Sequence, residues 1–275
     1  MLREFKSGKG GDACGGLRQR RWVHPFFSLL KLNTINQALE YKKVINFNQY
    51  KALTFDCYGT LIDWENGILG VLKPLLLAHN TDLDDDQILD LFAEFEAEVE
   101  KGEYLRYREV LKRVVQKFGE RFGFEPTVDE LNSLAKSIQY WLPFPDTVEA
   151  LRALSQKFKL VIISNVDDDL FAFSAKHLEV EFDQIITAEQ AKSYKPSLNN
   201  FRLAIGRIDL PLEQILHVAA SVYHDIVTAK SLGLSTVWVN RRAEQKVSST
   251  IGSATSQPDL EVPDLKTLAA LSSPK

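Results

Sequence analysis

The sequence predicts an α/β fold: a parallel sheet flanked by helices and interrupted by an inserted all-helical cap. Three observations carry this expectation. Short apolar runs rich in Val, Ile and Thr recur along the chain, helical patterns separate most of them, and one long interval holds helical patterns only. Near-continuous apolar strands are typical of parallel sheets, whose strands are buried on both faces. A Rossmann-like sheet of this kind places its ligands at the carboxyl ends of its strands.

The elements follow in order. Residues 1–48 open "MLREFKSGKGGDACGGLRQRR", glycine-rich, basic and poor in acids, and read as a poorly ordered N-terminal extension, a transit-like peptide being the alternative. The α/β core is expected over 49–66 and 144–273. Its first strand, "KALTF" (51–55), ends on Asp56, and Gly59 then permits a tight turn whose amides can point at an anion. Residues 67–143 form the cap, through patterns such as "DDDQILDLFAEFEAEVEKGEYLRYREVLKRVVQKFGERFG", and Pro143 and Pro145 mark the return to the core. Asp84, Asp85 and Asp86 read as a helix start, and Tyr104, Arg106, Tyr107 and Arg108 as residues of an amphipathic helix. Further strands are "KLVIIS" (159–164), "QIITA" (184–188), "ILHVA" (215–219), "STVWV" (235–239) and "LEV" (260–262). Helical patterns such as "DTVEALRALSQKF" and "HDIVTAKSLGL" lie between them, the latter with Gly233 as C-cap. Residues 242–257 are rich in Ser, Thr and Gly and read as a surface loop. Asp56, Ser164 and Ala220 then share one sheet edge.

Composition excludes several classes. With 275 residues, 45% hydrophobic and 25% charged, the chain is long enough for a sizeable core. The net charge of −4 and the lack of a long Lys/Arg block in the body of the chain argue against a nucleic-acid partner. No apolar run approaches the roughly 18–20 residues that span a bilayer. Two cysteines, Cys14 and Cys57, cannot build a disulfide framework, so a cytoplasmic setting is expected.

An acid at the end of a buried strand loses hydration, which is costly unless hydrogen bonds or a cation compensate. Residue chemistry alone leaves Asp56 open as a nucleophile or a structural cap. Ser164 could likewise cap the helix that Asp167, Asp168 and Asp169 begin, Lys195 could be a solvated loop lysine, and Asp225 could cap the helix after it. His217 and His224 read as a strand residue and a helix-start residue rather than ligands.

The set "DCYGT" with "LID", "IISN", "YKPS" and "AASVYHD", in that order, resembles the haloacid dehalogenase superfamily of hydrolases, and more narrowly its type II 2-haloacid dehalogenases. The resemblance covers about residues 50–272, including the position of the cap. It implies that Asp56 is a nucleophile forming an ester that water then cleaves. It implies that Thr60 and Ser164 hold the nucleophile or the acid group of the substrate, with Asn165 beside them. Lys195 would balance the charge on Asp56 and the bound anion, and Asp225 would orient water or Lys195. Tyr58 and Ser221 complete the substrate-binding set.

Superfamily phosphatases carry an acid two residues after the nucleophile and bind Mg²⁺ with acids of the fourth motif; here those positions hold Tyr58, Ala219 and Ala220, leaving only Asp225. The expectation is therefore a metal-independent hydrolase without cofactor, acting on the carbon–halogen bond of a small organic acid. Mg²⁺ enters only under the alternative of a phosphatase, and a catalytically decayed binding protein is the third reading. The sequence departs from the dehalogenase pattern at Ala220 and Val222, where Ser and Asn are expected, and at Phe201, near an expected Tyr. Ala93 falls where a substrate-gripping arginine is expected, with Arg106 or Arg108 as the candidate substitute. A homodimer is one assembly left open.

Overall fold

The computed structural model describes residues 45–241 and 257–273. Most of the N-terminal extension, with Cys14, and residues 242–256 of the Ser/Thr-rich loop lie outside the described residues. Six strands form one parallel sheet: β1 (Ala52–Phe55), β2 (Lys159–Ser164), β3 (Gln184–Thr187), β4 (Ile215–Ala219), β5 (Ser235–Val239) and β6 (Leu260–Val262). Their order is β3-β2-β1-β4-β5-β6. The chain starts at the centre, builds outward to β3, and then returns to the other side of β1. Strand order therefore reverses beside β1, the place where open α/β sheets form a ligand crevice. Phe55 pairs with Ile162 on one side and Val218 on the other, so Asp56 is the next residue past both neighbours' ladders.

Burial explains the strand pattern. Every residue of β1 and of β4 is buried. Helix spacing completes the layer, since Phe201, Ala204 and Ile208 project from one face onto Ala52, Val161, Ile163 and Ile215. Each large apolar side chain removed from water contributes about 1.5–3 kcal/mol. Phe201, near which a tyrosine was expected, belongs to this core and packs edge-on against His217, with ring centroids 5.0 Å apart.

Between β1 and β2 run α1 (Trp64–Ala78), α2 (Asp85–Glu100), α3 (Tyr107–Phe122), two short helices (α4, Val128–Leu131, and α5, Ser133–Ser137) and a 3₁₀ turn, Ile138–Tyr140. The long helical pattern is thus two helices, broken over 101–106. Asp84 opens α2 with a capping box to Gln87, and Gly123, at φ 77°, closes α3. The buried residues of α3, Tyr107, Val110, Leu111, Val114, Val115 and Phe118, recur at helical spacing. Phe118 meets Phe95 of α2 edge to face at 5.0 Å. The chain enters and leaves this insertion side by side, because Asp63 N–H donates to the Leu142 carbonyl (2.9 Å) and Phe144 N–H to that of Leu61 (3.0 Å).

The remaining helices are α6 (Thr147–Ser155), α7 (Asp168–Leu178), α8 (Ala188–Ala191), α9 (Leu198–Ile208), α10 (Val227–Ser231) and α11 (Leu265–Ser272). Ile45 and Phe47 are buried, so residues the sequence assigned to the extension pack with the core. Among the described residues no helix is long and apolar enough to cross a membrane.

Candidate active site

The turn after β1 closes on itself. The Cys57 carbonyl accepts from the amides of Thr60, Leu61 and Ile62, and Gly59 N–H donates to the Ile62 carbonyl. Those four amides are therefore committed within the turn and do not point at an anion. Gly59 sits at φ 90°, where a side chain would be strained and would also meet Trp64. Arg241 fixes the turn from outside: its Nε and Nη2 donate to the Thr60 carbonyl at 2.9 and 2.7 Å, its Nη1 to Asp146 Oδ1 at 2.9 Å.

Asp56 is compensated by side chains instead. Its Oδ2 accepts the Thr60 hydroxyl at 2.7 Å and its Oδ1 accepts Lys195 Nζ at 2.7 Å. Thr60 is itself aimed, since its Oγ1 accepts the Ala220 N–H at 2.8 Å. A backbone group at Ala220 thus does positioning that needs no particular side chain there. Lys195 Nζ also donates to Asp225 Oδ1 (2.8 Å) and to the Ile163 carbonyl (2.9 Å). Its three protons are matched by three acceptors. Side-chain exposure is 2% at Lys195 and 10% at Asp56, so the carboxylate is the member of that pair open to a small molecule.

Asp225 reaches this position through a single π-helical turn, Val222–Ile226, opened by the Ser221 hydroxyl accepting from His224 N–H at 3.1 Å. Its carboxylate turns inward to Lys195 and to His217 Nε2 (3.2 Å) rather than capping α10. His217 Nδ1 in turn meets Thr54 Oγ1 at 2.8 Å. Burial works against both charges, but mutual attraction wins. Lys195 is raised despite desolvation by the carboxylates of Asp225 and Asp56, and Asp225 is held at about 2 despite desolvation by Lys195 and His217. His217 is a strand residue, as expected, and also the second partner of Asp225, a role no local signal indicated.

The other expected site residues divide. Ser164 is fully buried with a hydroxyl that has no partner, and it does not cap α7. Asp225 Oδ2 is likewise buried without a partner. Asn165 brackets the Lys195 backbone: its Oδ1 accepts Lys195 N–H at 2.7 Å and its Nδ2 donates to the Lys195 carbonyl at 3.2 Å. Its amide is thus committed to Lys195 rather than to a ligand. Ser221 bonds only within its own turn, to His224. The Tyr58 hydroxyl pairs with Ser174 Oγ at 3.0 Å and its ring meets Trp141 edge-on at 5.7 Å, while burial pushes its phenol up.

Arg106 and Arg108, the candidates to replace the arginine expected at Ala93, are both engaged in ion pairs. Arg106 pairs with Asp169 and Glu189 at 3.1 Å, and Arg108 with Asp169, all at the seam with the core. Ala93 is exposed and apolar. One turn along α2, Glu96 accepts the Tyr107 hydroxyl at 2.7 Å. Burial pushes the Glu96 carboxyl up to about 7 against that hydrogen bond. Burial and then the Glu96 carboxylate push Glu100 to about 9, which the Lys195 ammonium opposes.

A donor set for a divalent cation is a poor match here. A hard cation needs several oxygen ligands, whereas Asp56 and Asp225 hold an ammonium between them. No group of three or more His, Cys, Asp or Glu suited to a metal occurs among the described residues.

Comparison with known proteins agrees with this architecture. The family model for haloacid dehalogenase-like hydrolases matches residues 50–233. (S)-2-haloacid dehalogenase 1 of Pseudomonas sp. (strain CBS-3) is 26% identical over 199 residues, 70% of this chain and 85% of that protein. The structure of L-2-haloacid dehalogenase from Xanthobacter autotrophicus with chloropropionic acid covalently bound superposes with a TM-score of 0.67 at 23% identity, covering 81% of this chain and 98% of that one. YfnB from Bacillus subtilis, a putative hydrolase solved bound to magnesium, gives a TM-score of 0.67 at 22% identity, with 81% and 98% covered.

Proposed function

Since this chain belongs to the haloacid dehalogenase-like hydrolase family, we propose that it hydrolyses the carbon–halogen bond of a small organic acid through Asp56. The observation that carries this reading is the ammonium of Lys195, held 2.7 Å from Asp56 and 2.8 Å from Asp225. That charge arrangement suits a reaction whose leaving group is already an anion and needs neither a metal nor a proton donor. Tyr58, whose phenol is tied to Ser174, stands where a phosphatase carries its acid. The Mg²⁺-dependent alternative finds no matching donor set in these residues.

In this mechanism an Asp56 oxygen attacks the carbon bearing the halogen, and halide departs with the bonding pair. Partial desolvation and fixed orientation raise the reactivity of a carboxylate that is sluggish in water. The product of this step is an Asp56 ester. Water then adds to the ester carbonyl carbon, the alcohol leaves with a proton, and the carboxylate is restored. Lys195 stabilises the oxyanion formed on the way, and Asp225, with its free Oδ2, is the group we assign to orienting the water. The buried Ser164 hydroxyl is assigned to the acid group of the substrate, and Tyr58 to the wall beside it. Asn165 acts through Lys195. A soluble cytoplasmic enzyme without cofactor is the setting this chemistry fits.

The test is halide release from 2-chloropropionate in EDTA. The wild type is expected to release chloride and Asp56→Asn to release none. Equal release by both, or release only of phosphate from phosphate esters with added Mg²⁺, would overturn the proposal, and binding without turnover would favour the decayed-site reading.

A further inference from the structure

Helix α3 begins at Tyr107, and its N-cap residue, Arg106, supplies no side-chain acceptor for the first amides. The acceptor comes from 60 residues away. Asp167 Oδ1 accepts the Tyr107 N–H at 2.8 Å and Oδ2 accepts the Arg108 N–H at 3.0 Å. Asp167 is fully buried and stands at the N-cap position of its own helix, α7, without capping it. The first amide of α7, Asp168 N–H, is instead taken by Glu189 Oε2 at 3.0 Å, and a carboxylate at one helix start that caps a helix of the cap is a cross-domain fastening.

A second fastening holds the same strap from the other side, where the Tyr194 hydroxyl donates to the Leu105 carbonyl at 2.8 Å. Tyr194 precedes Lys195, and Asp167 lies two residues beyond Asn165, which brackets the Lys195 backbone. Strap 105–108, Asp167, Asn165, Lys195 and Tyr194 therefore form a closed ring of covalent and hydrogen-bonded links. The rings of Tyr104 and Tyr107 lie 5.5 and 6.3 Å from that of Tyr194, which thickens the seam. Arg106 and Arg108 add ion pairs to Asp169 and Glu189 that are largely exposed and contribute little, and their Nε atoms lie 3.7 and 3.6 Å from Asp167 Oδ2, so the buried carboxylate also has two cationic partners on the strap.

We infer that Asp167 is a positioning residue: by fastening the strap of the cap, it and Tyr194 hold Lys195 on Asp56, so that seating of the cap and assembly of the site are one event. The inference takes Lys195 as the charge-balancing group of the proposed reaction, but its test needs no turnover. Coupling of this kind has to be measured, since a continuous chain of contacts does not by itself establish it.

Acetylation of Lys195 by acetic anhydride, read by mass spectrometry on the full chain, reports whether the ammonium stays buried, with exposed Lys51 as the internal standard. Hydrogen exchange at the Tyr107 and Arg108 amides reports the strap, with Val114 and Val115 as folded controls. Asp167→Asn and Tyr194→Phe each loosen one arm while conserving shape. Both are expected to speed Lys195 acetylation by about tenfold, and Asp167→Asn also to speed exchange at the two amides by a similar factor. Asp169→Asn is expected to stay within about twofold of wild type in both readouts. Faster amide exchange with Lys195 still protected would make Asp167 a local cap only and overturn the inference. No change in either readout would overturn it as well. A chain that lacks halide release but shows the expected acetylation would refute the proposed reaction and leave the strap standing.

Discussion

Lys195 decides the character of the site. Its ammonium lies between two carboxylates in a pocket of very low exposure, and removing it leaves both acids buried without a counter-charge. Lys195→Met keeps the stem and deletes the charge, so a loss of about 3–5 kcal/mol is expected in urea unfolding at neutral pH. Adding Asp225→Asn should recover part of that loss, because the two changes act on one network and are not additive. The lowered carboxyl of Asp225 contributes stability above its ordinary value of 3.8, a contribution lost as pH falls through about 2. His217 belongs to the same unit, and His217→Leu should cost about 1–3 kcal/mol by leaving Thr54 and an Asp225 oxygen with fewer partners.

Helix α2 brings Glu96 and Glu100 to the inner wall of the cap, and both carboxyls are pushed up, to about 7 and about 9. Acids raised on folding bind more protons in the native state than in the unfolded one, so their contribution falls as pH rises from the ordinary value of 4.5 toward 9. Glu100→Gln removes that cost, and its melting temperature should exceed wild type at pH 9 by more than at pH 5. In α1, Gly67 faces Trp141, and a Cβ there would run into the indole. An alanine in a helix ordinarily gains about 1 kcal/mol over glycine, but overpacking costs about 1–3 kcal/mol, and the buried indole, tied to Ser137 by its Nε1–H, has little room to give way. Gly67→Ala should therefore destabilise the chain and disturb Tyr58, which rests edge-on against Trp141.

At the scale of the molecule, the fold was legible because the central strands β1, β2 and β4 are largely apolar runs buried on both faces, and because period and length separate those runs from the amphipathic helices around them. Asp56, Thr60, Lys195 and Asp225 were legible as a set, and the structure brings those four into one hydrogen-bonded cluster. The partners that hold them were not. Asp167 acts 60 residues away on α3, Thr54 and His217 meet across 163, and Arg241 reaches Thr60 across 181. Such contacts exist only once the sheet and cap are assembled, and no local period or spacing announces them. The turn after Asp56 was legible only in part: a glycine turn advertises free amides, yet those of Thr60, Leu61 and Ile62 close onto one carbonyl.

The account stands on Asp56 as a nucleophile that becomes an ester. A single turnover of 2-chloropropionate with excess enzyme in ¹⁸O-labelled water, followed by mass spectrometry of product and of the Asp56 peptide, tests this most directly. An unlabelled 2-hydroxy acid and one ¹⁸O in the Asp56 carboxylate are expected, because water enters at the ester carbonyl. Label in the product with none in Asp56 would contradict it, since water would then have attacked the substrate carbon itself.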